Sequence, residues 1–258
     1  MLTSMRVMVL ASQKGGSGKT TLSGHLAVQA DRNGEGPVAL IDTDPQGSLA
    51  EWWNARESDS PAFVQSSLQT LREDLEALRD QGFKLVVIDT PPAVTKAIAQ
   101  VVQFADLVVL PTRPSPHDLR AVGATVDILE AQGKAMVFVL NGATVRARIT
   151  GDAAVALSQH GTVAPTTIHH RVNFASSMID GRTVMEIDEN GASAKEVVAL
   201  WDYLSERIKR RHIVALPAEQ TQPAPTHNVV AIPNPIAPEG MRPTRPFGRR
   251  GGPEAQAV

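Results

Sequence analysis

Apolar residues follow one another along this chain in two alternating modes. Uninterrupted runs at Val7–Ala11, Pro37–Ile41, Phe83–Ile88, Asp106–Leu110 and Lys134–Leu140 predict strands covered on both faces, because such runs leave no polar face for water. Between them, apolar residues return every three or four positions. This spacing predicts helices over 20–33, 68–81, 151–160 and 192–211, and one beginning at Pro116. Asn33-Gly34 stops the first of these, and Leu71, Leu75 and Leu78 share a face of the second. Ser115, Pro116 and Asp118 suit the N-cap, first and third positions of a helix. Val197, Val198, Leu200, Trp201, Leu204 and Ile208 form a docking stripe on the last helix. Shorter elements are expected at Glu51–Trp53, Phe63–Gln65, within Thr162–Ile168, at Phe174–Asp180 before Gly181, and at Thr183–Glu186. Trp52 and Trp53 cannot share one helical face, so one of them is expected to be partly exposed. Strands alternating with helices predict an α/β fold with a doubly wound, mostly parallel sheet.

The pattern stops near His212. Nine of the 18 prolines fall at or after Pro217, with few aromatics and no periodicity, so residues 1–211 are expected to form the domain and 212–258 a disordered tail. The tail ends in an arginine-rich arm, Arg242 to Arg250. The formal net charge of −2 hides an asymmetry: eight Lys/Arg against three Glu follow Glu206, leaving the preceding body acidic. There is no cysteine, which removes disulfides, thiolate metal sites and thiol nucleophiles. No apolar run approaches the ~20 residues of a membrane span, and no export signal is evident, so a cytoplasmic protein without stable membrane insertion is expected. His169 and His170 are adjacent, so their side chains diverge, and no third metal ligand lies at useful spacing.

Candidate chemistry begins at Gln13-Lys14-Gly15-Gly16-Ser17-Gly18-Lys19-Thr20-Thr21, directly after the first apolar run. A strand that breaks into glycines and then opens a helix turns a row of backbone N–H groups toward an anion, at the positive end of the helix dipole. Lys19 is placed to reach the β- and γ-phosphates of a nucleotide, and the Thr20 hydroxyl to ligate Mg²⁺. Asp89 ends a buried apolar strand, a position from which a carboxylate holds Mg²⁺ directly or through water. Asp42 and Asp44 leave another strand at the sheet edge where open α/β folds bind ligands. Asp42 is either a further metal-shell carboxylate or a structural hydrogen-bond acceptor.

The loop departs from the general G-x-x-x-x-G-K-[ST] pattern, with Gln13 in the first position and a second lysine, Lys14, inside it. K-G-G-x-G-K-T with that lysine resembles the deviant Walker A motif of the ParA/MinD family, and the likeness extends from about Arg6 to Arg211. The resemblance implies an ATPase with ATP and Mg²⁺ cradled by residues 14 to 21, in which Lys14 crosses a dimer interface to the partner's nucleotide. It implies that Asp44, in a segment similar to switch I, orients the attacking water. Asn141 would contact adenine, the alternative being a plain Asn-Gly turn. With five residues before Arg6, the chain is similar to the small branch that lacks an N-terminal DNA-reading domain. That branch forms ATP-dependent homodimers, binds nucleoid DNA non-specifically, and hydrolyses ATP slowly until a cargo-bound ParB-like or other adaptor stimulates it. Arg171, Lys195, Lys209, Arg210 and Arg211 are the candidate DNA contacts. Nitrogenase-type iron proteins need cysteines, and bacterial tyrosine kinases carry tyrosine-rich tails, whereas Tyr203 is the one tyrosine here. A MinD-like membrane-associated ATPase and a metabolic P-loop ligase of the dethiobiotin-synthetase type are the alternative readings.

Overall fold

In the computed structural model of the protein, residues 5–92 and 95–215 are described. The apolar runs form strands β1 (Arg6–Leu10), β2 (Val38–Asp42), β3 (Ala62–Gln65), β4 (Leu85–Asp89), β5 (Leu107–Thr112), β6 (Met136–Ala143), β7 (Thr162–Val163) and β8 (Ile168–His169). They make one sheet in the order β3-β2-β4-β1-β5-β6-β7, with β8 also pairing with β6, and every pairing is parallel. The helices are α1 (Lys19–Arg32), α2 (Ser48–Asn54), α3 (Leu71–Asp80), α4 (Thr95–Val102), α5 (Pro116–Ala131), α6 (Arg148–Ser158), α7 (Val172–Ser177), α8 (Val184–Ile187) and α9 (Ala192–Ala215).

Alternation along the strands divides the core into two layers. Met8, Leu10, Leu40 and Val87 face a cluster with Leu22, Leu26 and the fully buried Trp201, so α1 and α9 cover that side. Val7, Val9, Ile41 and Ile88 face Leu75, Ile98 and Leu129, under α3, α4 and α5. Burial on both faces explains why β2 and β4 have no exposed position. From β1 the chain first winds toward β2 and β3, then returns past β1 to β5 and β6, which makes the C-terminal end of β1 the topological switch point.

Several elements differ from the sequence expectation. The sequence reading assigned nothing to α4, although its buried Ile98, Val101 and Val102 recur at helical spacing. The strand expected to stop at Leu140 continues through Asn141-Gly142 to Ala143, because β8 pairs with it across an irregularity between Asn141 and Ala143. The last helix runs past Arg211 to Ala215; residues 216–258, and with them most of the expected disordered tail, lie outside the described residues. Both tryptophans are used structurally. Trp52 is buried and donates to the Arg182 carbonyl at 3.1 Å, while the half-buried Trp53 stacks on Phe63 and donates to the Pro61 carbonyl at 2.8 Å.

Candidate nucleotide site

The loop between β1 and α1 turns on two glycines in left-handed backbone, Gly16 (φ 71°) and Gly18 (φ 94°), the latter being the N-cap of α1. Glycine is needed at 18 for space as well, since a Cβ there would collide with Asn141 Nδ2. Asn141 donates that amide to the Ser17 carbonyl at 2.6 Å, so a residue of β6 props the loop from the side. This sets aside the plain Asn-Gly turn, since the strand continues through both residues.

Lys19, the first residue of α1, is only 6 % exposed. Burial holds its ammonium below the ordinary lysine range, against the opposing pull of Asp89 and Asp44. Those carboxylates converge because β1, β2 and β4 end together: Leu10 is in register with Asp89, and Asp89 with Asp42. The Thr20 hydroxyl donates to Asp89 Oδ2 at 2.6 Å, while Asp89 Oδ1 is buried without a hydrogen-bond partner. Burial pushes the Asp89 carboxyl up to about 7, with the Thr20 hydrogen bond opposing and Asp42 adding to the rise. A hydroxyl and an orphaned carboxylate oxygen, both beside a lysine, are donors suited to Mg²⁺ shared with phosphate. Among the described residues no group of three His, Asp or Glu is placed to hold a metal unaided, which fits a cation that takes its remaining ligands from a nucleotide and water.

Asp42 is used as a structural acceptor. Its Oδ1 accepts from the Asp44 N–H at 2.9 Å and its Oδ2 from the N–H groups of Leu49 and Ala50 at 3.0 and 3.3 Å. The cause is local: the N-cap of α2 is Gly47, which has no side chain to offer, and the carboxylate at the end of β2 takes its place. Asp44 is half-buried and accepts the Gln46 N–H at 3.0 Å. Lys14 is exposed on the loop, with its backbone N–H bound to Ser12 Oγ at 3.2 Å. A cavity of about 640 Å³ opens here, lined by Gly16, Gly18, Lys19 and Thr20 on one side and by Trp52 and Ile179 on another.

The basic residues proposed from the resemblance are mostly engaged. Arg171 binds Glu196 at 2.6 Å, Lys209 binds Glu35 at 2.9 Å, and Arg210 reaches Glu206 at 3.1 Å. Lys195 is exposed with no side-chain ion pair among the described residues, and the Arg211 side chain lies outside them. Two residues near the site carried no functional reading from the sequence. Arg113 follows β5 and also lines the cavity; Pro-rich surroundings marked it only as a helix approach. His25 is buried behind the loop on α1, where no motif singles it out.

A family model of the CobQ/CobB/MinD/ParA nucleotide binding domain matches residues 8–204. The chain belongs to this family. It is 30 % identical over 200 residues to the maintenance of carboxysome distribution protein A of Halothiobacillus neapolitanus, spanning 74 % of this chain and 92 % of that one. A protein of the same name from Gloeobacter kilaueensis is 46 % identical over 123 residues, 47 % of this chain and 55 % of its own. Among solved structures, an ATP complex of a singly substituted Cyanothece McdA superposes with a TM-score of 0.66 at 17 % identity, covering 80 % of this chain and 97 % of that chain. The Pyrococcus furiosus cell division ATPase MinD superposes with a TM-score of 0.64 at 19 % identity, over 78 % and 98 % of the two chains. The family match and the superpositions agree on a nucleotide-binding α/β fold of the MinD/ParA kind.

Proposed function

We propose that this protein is an ATP-driven positioning switch: it binds ATP, dimerises through the nucleotide, holds DNA non-specifically in that state, and is released when a cargo-bound adaptor stimulates hydrolysis. The observation that carries this reading is the division of labour between two lysines of one loop. Lys19 is buried behind the phosphate position, where it neutralises charge within its own protomer. Lys14 is exposed and is free to serve a nucleotide held by a second copy. That gives nucleotide state a physical hold on dimerisation.

In the hydrolytic step, the amides of Gly15 to Thr21 and the Lys19 ammonium cradle the β- and γ-phosphates. Mg²⁺, when bound, would add charge neutralisation for the phosphates. Thr20 and Asp89 are the residues that would hold it, and Asp44, just past the C-terminal end of β2, orients the attacking water. Asn141 is retained as a candidate for the adenine side of the site, and Arg171, Lys195, Lys209, Arg210 and Arg211 as candidate DNA contacts, of which Arg171, Lys209 and Arg210 would have to leave a carboxylate partner. The names of the carboxysome distribution proteins support a protein compartment as the cargo. The competing ligase reading shares the fold but gives Lys14 no task.

Sedimentation of wild type and Lys14→Ala with Mg·ATP separates the two. The switch predicts an ATP-dependent dimer that Lys14→Ala abolishes while nucleotide binding persists; a variant that still dimerises refutes it. A fluorescent fusion adds the cellular test, with nucleoid localisation expected for wild type and loss of cargo patterning for Asp44→Ala.

A further inference from the structure

Arg113 is the residue immediately after β5, the strand beside β1, and its neighbours hold it in place. Pro114 biases the preceding residue toward extended backbone, and the Ser115 N–H closes back on the Arg113 carbonyl at 2.7 Å. The side chain is thereby laid across the phosphate loop. Its Nη2 lies 3.5 Å from where a Cβ would stand on Gly16, and its Cγ and Nε lie 3.7 Å from that point on Gly142. Gly16 and Gly142 both have positive φ, 71° and 64°, and so present bare backbone along the arginine's path.

Among the described residues no carboxylate answers the guanidinium. Arg56 is paired with Glu186, Arg171 with Glu196 and Arg182 with Asp180, whereas the Arg113 side chain makes no hydrogen bond or ion pair among the described residues. An unpaired guanidinium lining the same cavity as Gly16, Gly18, Lys19 and Thr20 stands where the loop's amides converge on an anion.

We infer that Arg113 is a phosphate-binding residue of this site, closing its planar fork on oxygens of the nucleotide's phosphate chain from the exposed side of the loop, opposite the buried Lys19. The inference rests on the reading that the loop holds ATP. A guanidinium suits the task because it stays charged and presents two parallel N–H groups, geometry that a lysine cannot reproduce.

Titration of the full-length protein with Mg·ATP, monitored by calorimetry, tests it with Arg113→Met and Arg113→Lys. Met keeps the apolar stem over Gly16 and Gly142 but removes the charge, so Kd is expected to rise about tenfold, with Lys intermediate, as for a lost charge-assisted hydrogen bond. The melting temperature of the nucleotide-free protein is expected to be unchanged in both variants. A Kd for Arg113→Met within twofold of wild type overturns the inference and leaves the ATP reading intact. Weaker binding accompanied by a lower melting temperature of the free protein also overturns it, since the arginine is then a prop for the loop. Failure of wild type itself to bind Mg·ATP overturns both.

Discussion

His25 sits wholly inside the protein, with Nδ1 2.7 Å from the Thr21 carbonyl and Nε2 accepting the Val184 N–H at 3.1 Å. A carbonyl only accepts, so the ring carries its proton on Nδ1 and is neutral. Burial lowers its pKa from 6.5 to about 4; Glu186 pulls the other way and Arg56 adds to the fall. Between those two values the unfolded chain takes up a proton that the folded one refuses. Stability contributed by His25 is therefore full above about 6.5, falls as pH drops toward 4, and totals about 3 kcal/mol. Asp89, raised to about 7 in the free protein, acts with opposite sign, because its folded form gains a proton first as pH falls. Urea unfolding of wild type and His25→Gln between pH 7.5 and 4.5 isolates the histidine. The variant is expected to lose less stability on acidification, and parallel curves would exclude this assignment. No periodicity or motif marks His25. Its role was illegible in the sequence because Val184, its partner, lies far along the chain and is brought close only because α1 and α8 both pack against α9.

At the scale of elements, the loop is held by three strands at once: β1 delivers it, β4 supplies Asp89, and β6 supplies Asn141 against Gly18. Gly18→Ala puts a methyl into Asn141 and asks an L-residue to hold φ 94°, at a cost of about 1–3 kcal/mol. The expected result is a lower melting temperature and lost nucleotide binding. A Gly18→Ala, Asn141→Ala double variant is expected to recover part of the stability, because it removes the clash but leaves the backbone strain. If the double variant is no more stable than the single, the close approach of Asn141 is not the cause. The strands and the loop were readable because apolar runs, glycines and capping residues act locally. Ser115, for example, accepts the Asp118 N–H at 3.2 Å as its sequence position predicts. The extension of β6 past Asn141 was not readable, since it depends on pairing with β8.

For the molecule as a whole, the convergence of charges at the switch point makes the free site poorly satisfied: it is shared by a desolvated lysine and by the Asp89 carboxyl, raised to about 7 and with one oxygen orphaned. A ligand that answers those charges stabilises the fold by mass action, by about 3 kcal/mol at a concentration a hundredfold above its Kd. Mg·ATP is therefore expected to raise the melting temperature of wild type, and chelating the metal with EDTA to reverse most of the gain. An identical melting curve with and without EDTA would remove Thr20 and Asp89 as metal holders. The sequence by itself determined the α/β class, the phosphate loop with its two lysines and the acidic strand ends, because each is written in residues close together along the chain. Only the tertiary structure decided that Asp42 caps α2, that Asn141 props Ser17, that Arg171 and Lys209 are paired with carboxylates, and that Arg113 lies unpaired over Gly16. The Asp42 cap spans only seven residues, but the other contacts join residues distant along the chain and exist only once strands and helices have packed together.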